Sequence, residues 1–233
     1  MTLHFIFDLL AYALSISLSV FIFKAPVSLV KDETEQYIYY TYLIIGFVVG
    51  SILFGSINDI YSLKTPLLGK SVLGAIFGGT IMVEIFKKIY KIQGSTGAYF
   101  VPSLSIGIVI GRIGCFYAGL EDYTYGIATD GPFAYDFGDG IPRHPVQLYE
   151  SFSMALFFIF SVLLFKYRNN FFKHYMFYLF ILYYSTQRLF LEFLKPYETM
   201  FIGLNFFQLI CLVLILYALI QIRSTYRRLY PTI

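Results

Sequence analysis

Long apolar runs, repeated at short intervals, constrain the fold of this chain more than any other feature. Seven runs can be read: His4–Phe23, Tyr40–Ile57, Ser71–Phe86, Tyr99–Gly119, Leu148–Phe165, Tyr175–Phe193 and Phe201–Ile220. Most approach the ~20 residues that a helix needs to cross a bilayer, and Leu67, Leu68 and Ile89 can extend the shortest. Only 13% of residues are charged, against about 25% in soluble domains. We therefore predict an all-α, polytopic integral membrane protein with about seven transmembrane helices, built as a single domain over residues 1–233.

Positive residues between the runs indicate an orientation. With seven helices, one side of the membrane receives eleven Lys and Arg residues, namely Lys24, Lys31, Lys87, Lys88, Lys91, Lys166, Arg168, Lys173, Arg223, Arg227 and Arg228. The other side receives four, namely Lys64, Lys70, Arg143 and Lys195. Cytoplasmic loops carry the excess of positive charge. The C-terminus is therefore predicted in the cytoplasm, the N-terminus outside, and the Glu121–His144 loop on the extracytoplasmic face.

The two cysteines and the net charge exclude several kinds of site. Cys115 and Cys211 both lie in apolar runs, where a lone thiol is usually a small buried hydrophobe, so neither a disulfide nor a metal site is expected. A net charge of +3 is too small to indicate nucleic-acid binding. The first run has no preceding basic residue and is interrupted by Asp8, so we do not expect a cleaved signal peptide.

The segment from Gly111 to Glu150 carries most of the polar groups that meet the apolar runs. Arg112 lies in the fourth run, where an arginine is costly and therefore indicates a functional site. Arg112, Cys115 and Gly119 are predicted on one helix face. Close approach of a neighbouring helix or a ligand is allowed by three glycines, Gly107, Gly111 and Gly114. The alternative is an arginine that snorkels to the interface and helps to pack the bundle.

The start of the fifth run is a compact polar cluster, Arg143 to Glu150. Pro145 suits the first position of a helix. The free N–H groups of that helix would favour a phosphate, flanked by Arg143 and His144. Gln147 and Glu150, three residues apart, project from one face. Alternatively, the histidine is only a cap or a surface residue. In the preceding loop we expect most aspartates to be solvated, and Glu121 to be the acidic residue closest to the arginine-bearing helix.

The sixth run carries a polar stripe at helical spacing: Tyr184, Arg188, Glu192 and Lys195. Arg188 and Glu192 could simply neutralise one another. Alternatively, Arg188 forms a second cationic wall that faces Arg112. In the last run, uncharged hydrogen-bonding groups are supplied by Asn205 and Gln208. Two buried arginines with nearby carboxylates favour an anionic ligand, best a phospholipid head group. The carboxylates and His144 offer acid–base chemistry.

Four segments together resemble the prolipoprotein diacylglyceryl transferase family. GRIGCF and RHPVQLYE occur in the family's order, GKSVLGAIFGG at Gly69–Gly79 resembles its glycine-rich third span, and YSTQRLFLE resembles its Tyr-x₃-Arg-x₃-Glu stripe. Gln208 is similar to the glutamine of its final span. The resemblance covers about Gly69 to Gln208. It implies seven spans, an external N-terminus and a multi-pass location in the bacterial plasma membrane.

The resemblance also implies an activity and its partners. Family members transfer diacylglyceryl from phosphatidylglycerol to the lipobox cysteine thiol of a prolipoprotein, release glycerol phosphate and use no metal or cofactor. The implied partners are phosphatidylglycerol, the prolipoprotein lipobox segment and membrane lipids. Carried over by motif, the catalytic candidates are Arg112, Arg188, His144, Glu150, Glu192 and Tyr184. The substrate-binding candidates are Arg143, Gln147, Tyr149, Glu121, Cys115, Gly114 and Gln208, with Glu121 shifted by one position from the signature glutamate.

Three positions depart from the family pattern. Cys115 stands where the signature has asparagine, Phe77 where well-studied members have a histidine proposed as a base, and Ala98 where an aspartate precedes the fourth span. These changes affect thiol activation more than phosphate binding. Two alternatives therefore stay open. One is a relative that transfers a lipid group to another acceptor, and the other is a non-catalytic phospholipid-binding or transport protein.

Overall fold

The computed structural model describes residues 2–22, 30, 32–63 and 68–231. The described residues form seven α-helices: α1 Thr2–Ser17, α2 Glu33–Asn58, α3 Val72–Ile89, α4 Val101–Ala118, α5 Val146–Tyr167, α6 Asn169–Leu191 and α7 Phe206–Leu229. Single π-turns extend α1 and α2, at Leu18–Ile22 and Asp59–Leu63, and 3₁₀ turns flank α4 and follow α6, at Ala98–Phe100, Gly119–Asp122 and Glu192–Leu194. Two short strands, β1 Tyr135–Asp136 and β2 Pro142–Arg143, pair antiparallel in the α4–α5 connection.

The helices fit the predicted class, a helical membrane protein. Among the described residues, 4 helical stretches are long and apolar enough to cross a membrane, namely Glu33–Ser62, Ala98–Asp122, Val146–Tyr167 and Phe206–Leu229. Large apolar side chains on these helices face outward, as on Phe152, which is 69% exposed, and Leu216, which is 60% exposed. Such an apolar exterior is stable in lipid. Phe23, Lys24, Lys31, Lys64 and Leu67, on which the predicted spans and orientation partly rest, lie outside the described residues.

Side-chain caps set where several helices begin. Asp32 accepts a hydrogen bond from the Glu35 N–H at the start of α2, and Ser71 accepts one from the Gly74 N–H at the start of α3. These caps satisfy N–H groups that have no partner inside the helix. As a result α2 begins at Glu33, seven residues before the apolar run predicted from the sequence.

The chain divides into two compact units. The first comprises Met1–Ala25 and Gly97–Pro196, and the second comprises Pro26–Thr96 and Tyr197–Ile233. The first unit therefore contains α1, α4, α5 and α6, and the second contains α2, α3 and α7. All candidate site residues except Gln208 belong to the first unit.

Helix α4 lies between α1 and α5 in the first unit. A Cβ atom added at Gly114 would come within 2.6 Å of the Phe7 Cβ, and one at Gly107 within 2.6 Å of the Ser15 Oγ. These two glycines therefore let α1 approach closely. Ser151 on α5 donates to the Val109 carbonyl of α4 at 3.0 Å. Gly111, in contrast, has nothing within 4 Å of its added Cβ.

The second unit is built on a close contact between α2 and α3. A Cβ atom at Gly50 would collide with the Gly74 carbonyl oxygen, and one at Gly78 with the Gly46 carbonyl oxygen. Backbones can approach this closely only where both helices present glycine. Ser71–Phe86, the shortest predicted run, corresponds to a full helix, Val72–Ile89.

Candidate functional site

Five ionisable side chains in the first unit form a continuous series of contacts, which we call the buried ion-pair cluster. Arg112 Nε lies 3.0 Å from Glu150 Oε2, and Arg188 Nη1 lies 2.8 Å from the same oxygen. Arg188 Nη2 also pairs with Glu192 Oε1. Lys195 Nζ lies 3.0 Å from that Glu192 oxygen. Positive and negative groups therefore alternate from Arg112 to Lys195.

The cluster is buried and carries an excess of positive charge. Glu150 is 0% exposed, Arg188 and Glu192 are 2% exposed, and Arg112 is 8% exposed. The five groups comprise three cations and two carboxylates, which leaves one positive charge in excess. Charges removed from water require compensation by partners. Guanidinium groups match the geometry of a phosphate, so the two arginines of the cluster can hold one.

Three helices and one turn bring these residues together. Arg112 lies in the last two turns of α4, Glu150 near the start of α5, and Arg188 in the last turn of α6. A cation is favoured in the last turn of a helix, where the backbone dipole is negative. Glu192 ends α6, and a 3₁₀ turn then brings Lys195 back to it. Gly119, at φ +66°, ends the α4 helix.

The arrangement agrees with both interpretations left open for Arg188 and excludes one of those left open for Arg112. Arg188 and Glu192 do neutralise one another, as one interpretation had it. Arg188 also faces Arg112, as the other had it, because both guanidinium groups contact Glu150. Arg112 is paired and buried, so the alternative of a snorkelling arginine is wrong. Its carboxylate partner comes from α5 and not from the loop that follows α4.

Cys115, Tyr184 and Gly114 have different relations to the cluster. Arg112 Nη1 lies 3.8 Å from Cys115 Sγ, so this half-buried thiol is in contact with the cluster. Tyr184 is 0% exposed and lies one helical turn before Arg188, with its ring stacked on Phe180. Gly114 contacts Phe7 of α1. Gly114 therefore has a packing role. Contrary to the prediction, Gly119 does not share the helix face of Arg112 and Cys115, because α4 ends at Ala118.

The N-terminus of α5 differs from the predicted anion site. Helix α5 begins at Val146, so Pro145 precedes the helix and does not occupy its first position. The Val146 N–H donates to the His144 carbonyl, and the Leu148 N–H donates to the Pro145 carbonyl. Two of the first three donors are therefore engaged. The expectation of a free N–H cradle at this helix end is wrong.

His144 and Arg143 do not join the buried ion-pair cluster. His144 Nδ1 lies 3.3 Å from the Tyr149 hydroxyl. Its backbone pairs with Gly126 and Ile127, which fixes the histidine against the preceding loop. Arg143 makes two hydrogen bonds to Asp139, at 2.6 and 2.7 Å, and lies over the Tyr125 ring. The side chains of these two basic residues therefore have different partners, whereas the sequence predicted that they flank one phosphate.

Aspartates order the loop that carries β1 and β2. Asp136 Oδ1 accepts the N–H groups of Gly138, Asp139 and Gly140. The two hydrogen bonds from Arg143 lower the pKa of Asp139 below its ordinary value, and the same contact raises the pKa of Arg143. Asp136 and Asp139 therefore have structural partners. For these two aspartates the expectation of a merely solvated side chain is wrong.

Glu121 and Gln208 lie in other surroundings. Glu121 is exposed on the 3₁₀ turn that follows α4. Gln208 belongs to the second unit, where its side-chain Oε1 accepts the Asn205 N–H while Asn205 Oδ1 accepts the Gln208 N–H. This reciprocal pair is a capping box that starts α7. The visible role of Gln208 is therefore to cap a helix.

Lys195 and Gln187 are not among the site residues predicted from the sequence. Lys195 closes the buried ion-pair cluster through Glu192, and Gln187 Nε2 donates to the Glu150 carbonyl at 3.2 Å. The three-residue spacing from Glu192 to Lys195 was a usable signal, since residues three apart share a helix face. Gln187 precedes Arg188 directly and gave no comparable signal.

Comparison with known proteins agrees with the resemblance seen in the motifs. The family model described as prolipoprotein diacylglyceryl transferase matches residues 4–223. A relative from Rickettsia rickettsii (strain Sheila Smith) is 35% identical over 161 residues, which cover 63% of this chain and 60% of the relative. One from Ehrlichia ruminantium (strain Welgevonden) is 32% identical over 166 residues, covering 66% and 63%.

A relative from Rickettsia bellii is 35% identical over 185 residues, covering 72% of this chain and 68% of the relative. All three relatives are named phosphatidylglycerol–prolipoprotein diacylglyceryl transferase. The chain spans 60% of the length of the first of them. The family model covers nearly the whole chain, and the family predicted from the motifs is confirmed. The chain belongs to the prolipoprotein diacylglyceryl transferase family.

Proposed function

We propose that this protein transfers a diacylglyceryl group from phosphatidylglycerol to the lipobox cysteine thiol of prolipoproteins. The observation that carries the proposal is the buried ion-pair cluster. In it two buried arginines from different helices meet at one carboxylate of α5, in a chain of this family. A phospholipid brings a phosphate anion to a membrane protein together with its acyl chains. Arginine suits it because the guanidinium group matches phosphate geometry.

The reaction is a displacement at carbon. The acceptor sulfur attacks the carbon of the diacylglyceryl group that is bonded to phosphate oxygen. A thioether bond forms, and this carbon–oxygen bond breaks. The electron pair of that bond leaves with glycerol phosphate, whose negative charge grows as the bond breaks. Arg112 and Arg188 stabilise this charge, because fixed cations in a dry site favour a transition state in which charge develops. Glu192 holds Arg188 in position, and Tyr184 lies one helical turn before Arg188.

His144 is the proposed acceptor of the thiol proton. Glu150 Oε2 already forms ion pairs with two guanidinium groups, which favours a role as an anchor for both arginines. The imidazole of His144 has one side-chain hydrogen-bond partner among the described residues, the Tyr149 hydroxyl. Histidine is the residue that most often serves as a general base in catalysis. Phe77 cannot serve as the base, since its side chain has no ionisable group.

The proposed setting is the bacterial plasma membrane, crossed seven times by α1 to α7. The N-terminus lies outside and the C-terminus in the cytoplasm, in agreement with the excess of positive charge on the α7 end. The whole chain acts as one integral domain. Its partners are phosphatidylglycerol, the lipobox segment of a prolipoprotein and the surrounding lipids.

Two substitutions distinguish an enzyme from a lipid-binding protein. Arg112→Ala removes a phosphate contact and should abolish both lipid binding and turnover. His144→Ala should abolish turnover and leave lipid binding intact. The assay measures transfer from radiolabelled phosphatidylglycerol to a lipobox peptide, beside direct measurement of lipid binding. Lipid binding without any transfer by the wild type, in membranes where a control transferase works, would favour a binding protein.

A second candidate keeps the lipid donor and changes the acceptor. Cys115 favours it, because a thiol that contacts Arg112 stands where the family signature has asparagine. Lipidomic analysis of a deletion strain separates the two candidates. Loss of another lipid product, with lipoproteins still modified, would support the second candidate.

A further inference from the structure

Several polar atoms beside the buried ion-pair cluster have no protein partner. The amide nitrogen and oxygen of Gln147 are both buried without a hydrogen-bond partner among the described residues, and the side chain is 1% exposed. The second carboxylate oxygen of Glu150, Oε1, is in the same condition. Buried polar groups are nearly always hydrogen-bonded, so such a set indicates a missing partner.

Gln147 and Glu150 form one local group. They are three positions apart in the first turns of α5, so their side chains lie on the same helix face. Glu150 Oε2 contacts Arg112 and Arg188. Glu150 Oε1 is therefore next to the two arginines that hold the phosphate in the proposed function, and Gln147 lies on the same helix face.

Hydrogen-bonding chemistry identifies the missing partner. Gln147 Oε1 and Glu150 Oε1 are acceptors and require a donor, whereas Gln147 Nε2 is a donor and requires an acceptor. A phosphate has only acceptors to offer when ionised and cannot satisfy the two oxygens. An ammonium head group has only donors and cannot satisfy the amide nitrogen. A hydroxyl both donates and accepts, so an uncharged group with more than one hydroxyl satisfies all three atoms.

We infer that Gln147, together with Glu150 Oε1, binds the hydroxyl groups of the glycerol head group and so selects phosphatidylglycerol among phospholipids. The inference rests on the proposed function, since it names the part of the donor that leaves with the phosphate. Gln147 is in this account a specificity-determining residue. It contributes to the choice of donor and takes no part in bond breaking.

The test compares phosphatidylglycerol with phosphatidylpropanol, which has the same phosphate and acyl chains but a propyl group without hydroxyls. Native mass spectrometry of the purified protein with equal amounts of the two lipids gives their binding ratio. Transfer to a lipobox peptide gives the ratio of their turnover. We expect the wild type to prefer phosphatidylglycerol by about tenfold to a hundredfold, the range for leaving buried polar groups unpaired.

Gln147→Met keeps the length of the side chain and removes its hydrogen bonds. We expect this variant to bind the two lipids within about threefold of one another, through loss of phosphatidylglycerol binding alone. Gln221→Met, the same substitution on α7, is the matched control and should keep the wild-type ratio. Size-exclusion chromatography and thermal unfolding establish that each variant is folded.

The possible failures are separable. A wild type without preference between the two lipids overturns the inference, whatever its turnover, and this measurement needs no variant. An unchanged preference in folded Gln147→Met, or an equal loss of both lipids, also overturns it, since the latter indicates a bound water or a packing role. A lipid preference that depends on Gln147, in a protein that transfers nothing to the peptide, supports the inference and contradicts the proposed function alone.

Discussion

Arg188 Nη1 lies 2.8 Å from Glu150 Oε2, in a contact between two side chains that are almost completely buried. The same oxygen lies 3.0 Å from Arg112 Nε. One carboxylate therefore fixes the distance between the two arginines that are proposed to hold the donor phosphate. Preorganised cations stabilise developing charge without having to move during the reaction.

Glu150→Gln should destabilise the first unit and abolish transfer. It leaves two buried guanidinium groups without their shared anion, and breaking a buried pair in this way costs about 3–5 kcal/mol. Thermal unfolding in detergent measures the loss. Glu33→Gln, at the exposed start of α2, is the control and should change stability by less than about 1 kcal/mol. A Glu150→Gln protein as stable as the control would contradict the shared role of this carboxylate.

The Asp139–Arg143 pair should hold the loop between β1 and β2 until the pH becomes strongly acidic. The hydrogen bonds from Arg143 lower the pKa of Asp139 below its ordinary value of 3.8. A carboxylate with a lowered folded-state pKa stabilises the fold above its ordinary pKa, and the contribution is lost as the pH falls through the lowered value. NMR titration of ¹³C-labelled aspartate measures the pKa of Asp139 in the folded protein.

Arg143→Leu removes both hydrogen bonds, so the pKa of Asp139 should return toward 3.8. The stabilisation that the pair gives the loop would then be absent at every pH. Asp139→Asn identifies the titrating signal by its disappearance. Titration of Asp139 at the same pH in the wild type and in Arg143→Leu would show that the pair does not form in solution.

Gly114 and Gly111 should respond differently to a methyl group. Gly114→Ala places its Cβ 2.6 Å from the Phe7 Cβ, while Gly111→Ala meets nothing within 4 Å. We expect Gly114→Ala to cost about 1–3 kcal/mol, as overpacking does, and Gly111→Ala to be tolerated. Thermal unfolding compares the pair. Adding Phe7→Ala to Gly114→Ala should recover part of the loss, and equal melting of both single variants would argue against close α1–α4 packing.

The capping box at the start of α7 can be tested through Asn205 and Gln208. Asn205→Ala removes an acceptor for the Gln208 N–H and should cost about 0.5–2 kcal/mol. Gln208→Glu keeps a side-chain acceptor for the Asn205 N–H, as a capping box requires, and should preserve the helix start. Hydrogen exchange of the first turn of α7 measures both. Faster exchange in Gln208→Glu than in Asn205→Ala would mean that the box is not what starts the helix.

The positions of the helices could be predicted from the sequence because they follow from apolar length. Each of the seven runs corresponds to one of the seven α-helices in the described residues. Their ends were less predictable. Helix α7 begins at Phe206, where the capping box is, and continues to Leu229, because polar residues extend a helix beyond the apolar segment. The hairpin of β1 and β2 depends on turns formed by aspartate and glycine, which apolar periodicity does not report.

The candidate site was only partly predictable. Spacing along one helix predicted the contact between Arg188 and Glu192. The shared carboxylate of Glu150 depends on how α4, α5 and α6 pack, and spacing within one helix says nothing about that. Adjacency in sequence was misleading for Arg143 and His144. They lie close to Glu150 along the chain, yet their side chains contact Asp139 and Tyr149.

The most direct measurement of the central claim follows both products of one reaction. Purified protein in phosphatidylglycerol vesicles is mixed with a lipobox peptide, and mass spectrometry quantifies the diacylglyceryl thioether on the peptide and the released glycerol phosphate. We predict equal amounts of the two products with the wild type and neither product with Arg188→Ala. Absence of thioether with folded, lipid-bound wild type, or glycerol phosphate released without thioether, would contradict diacylglyceryl transfer to cysteine.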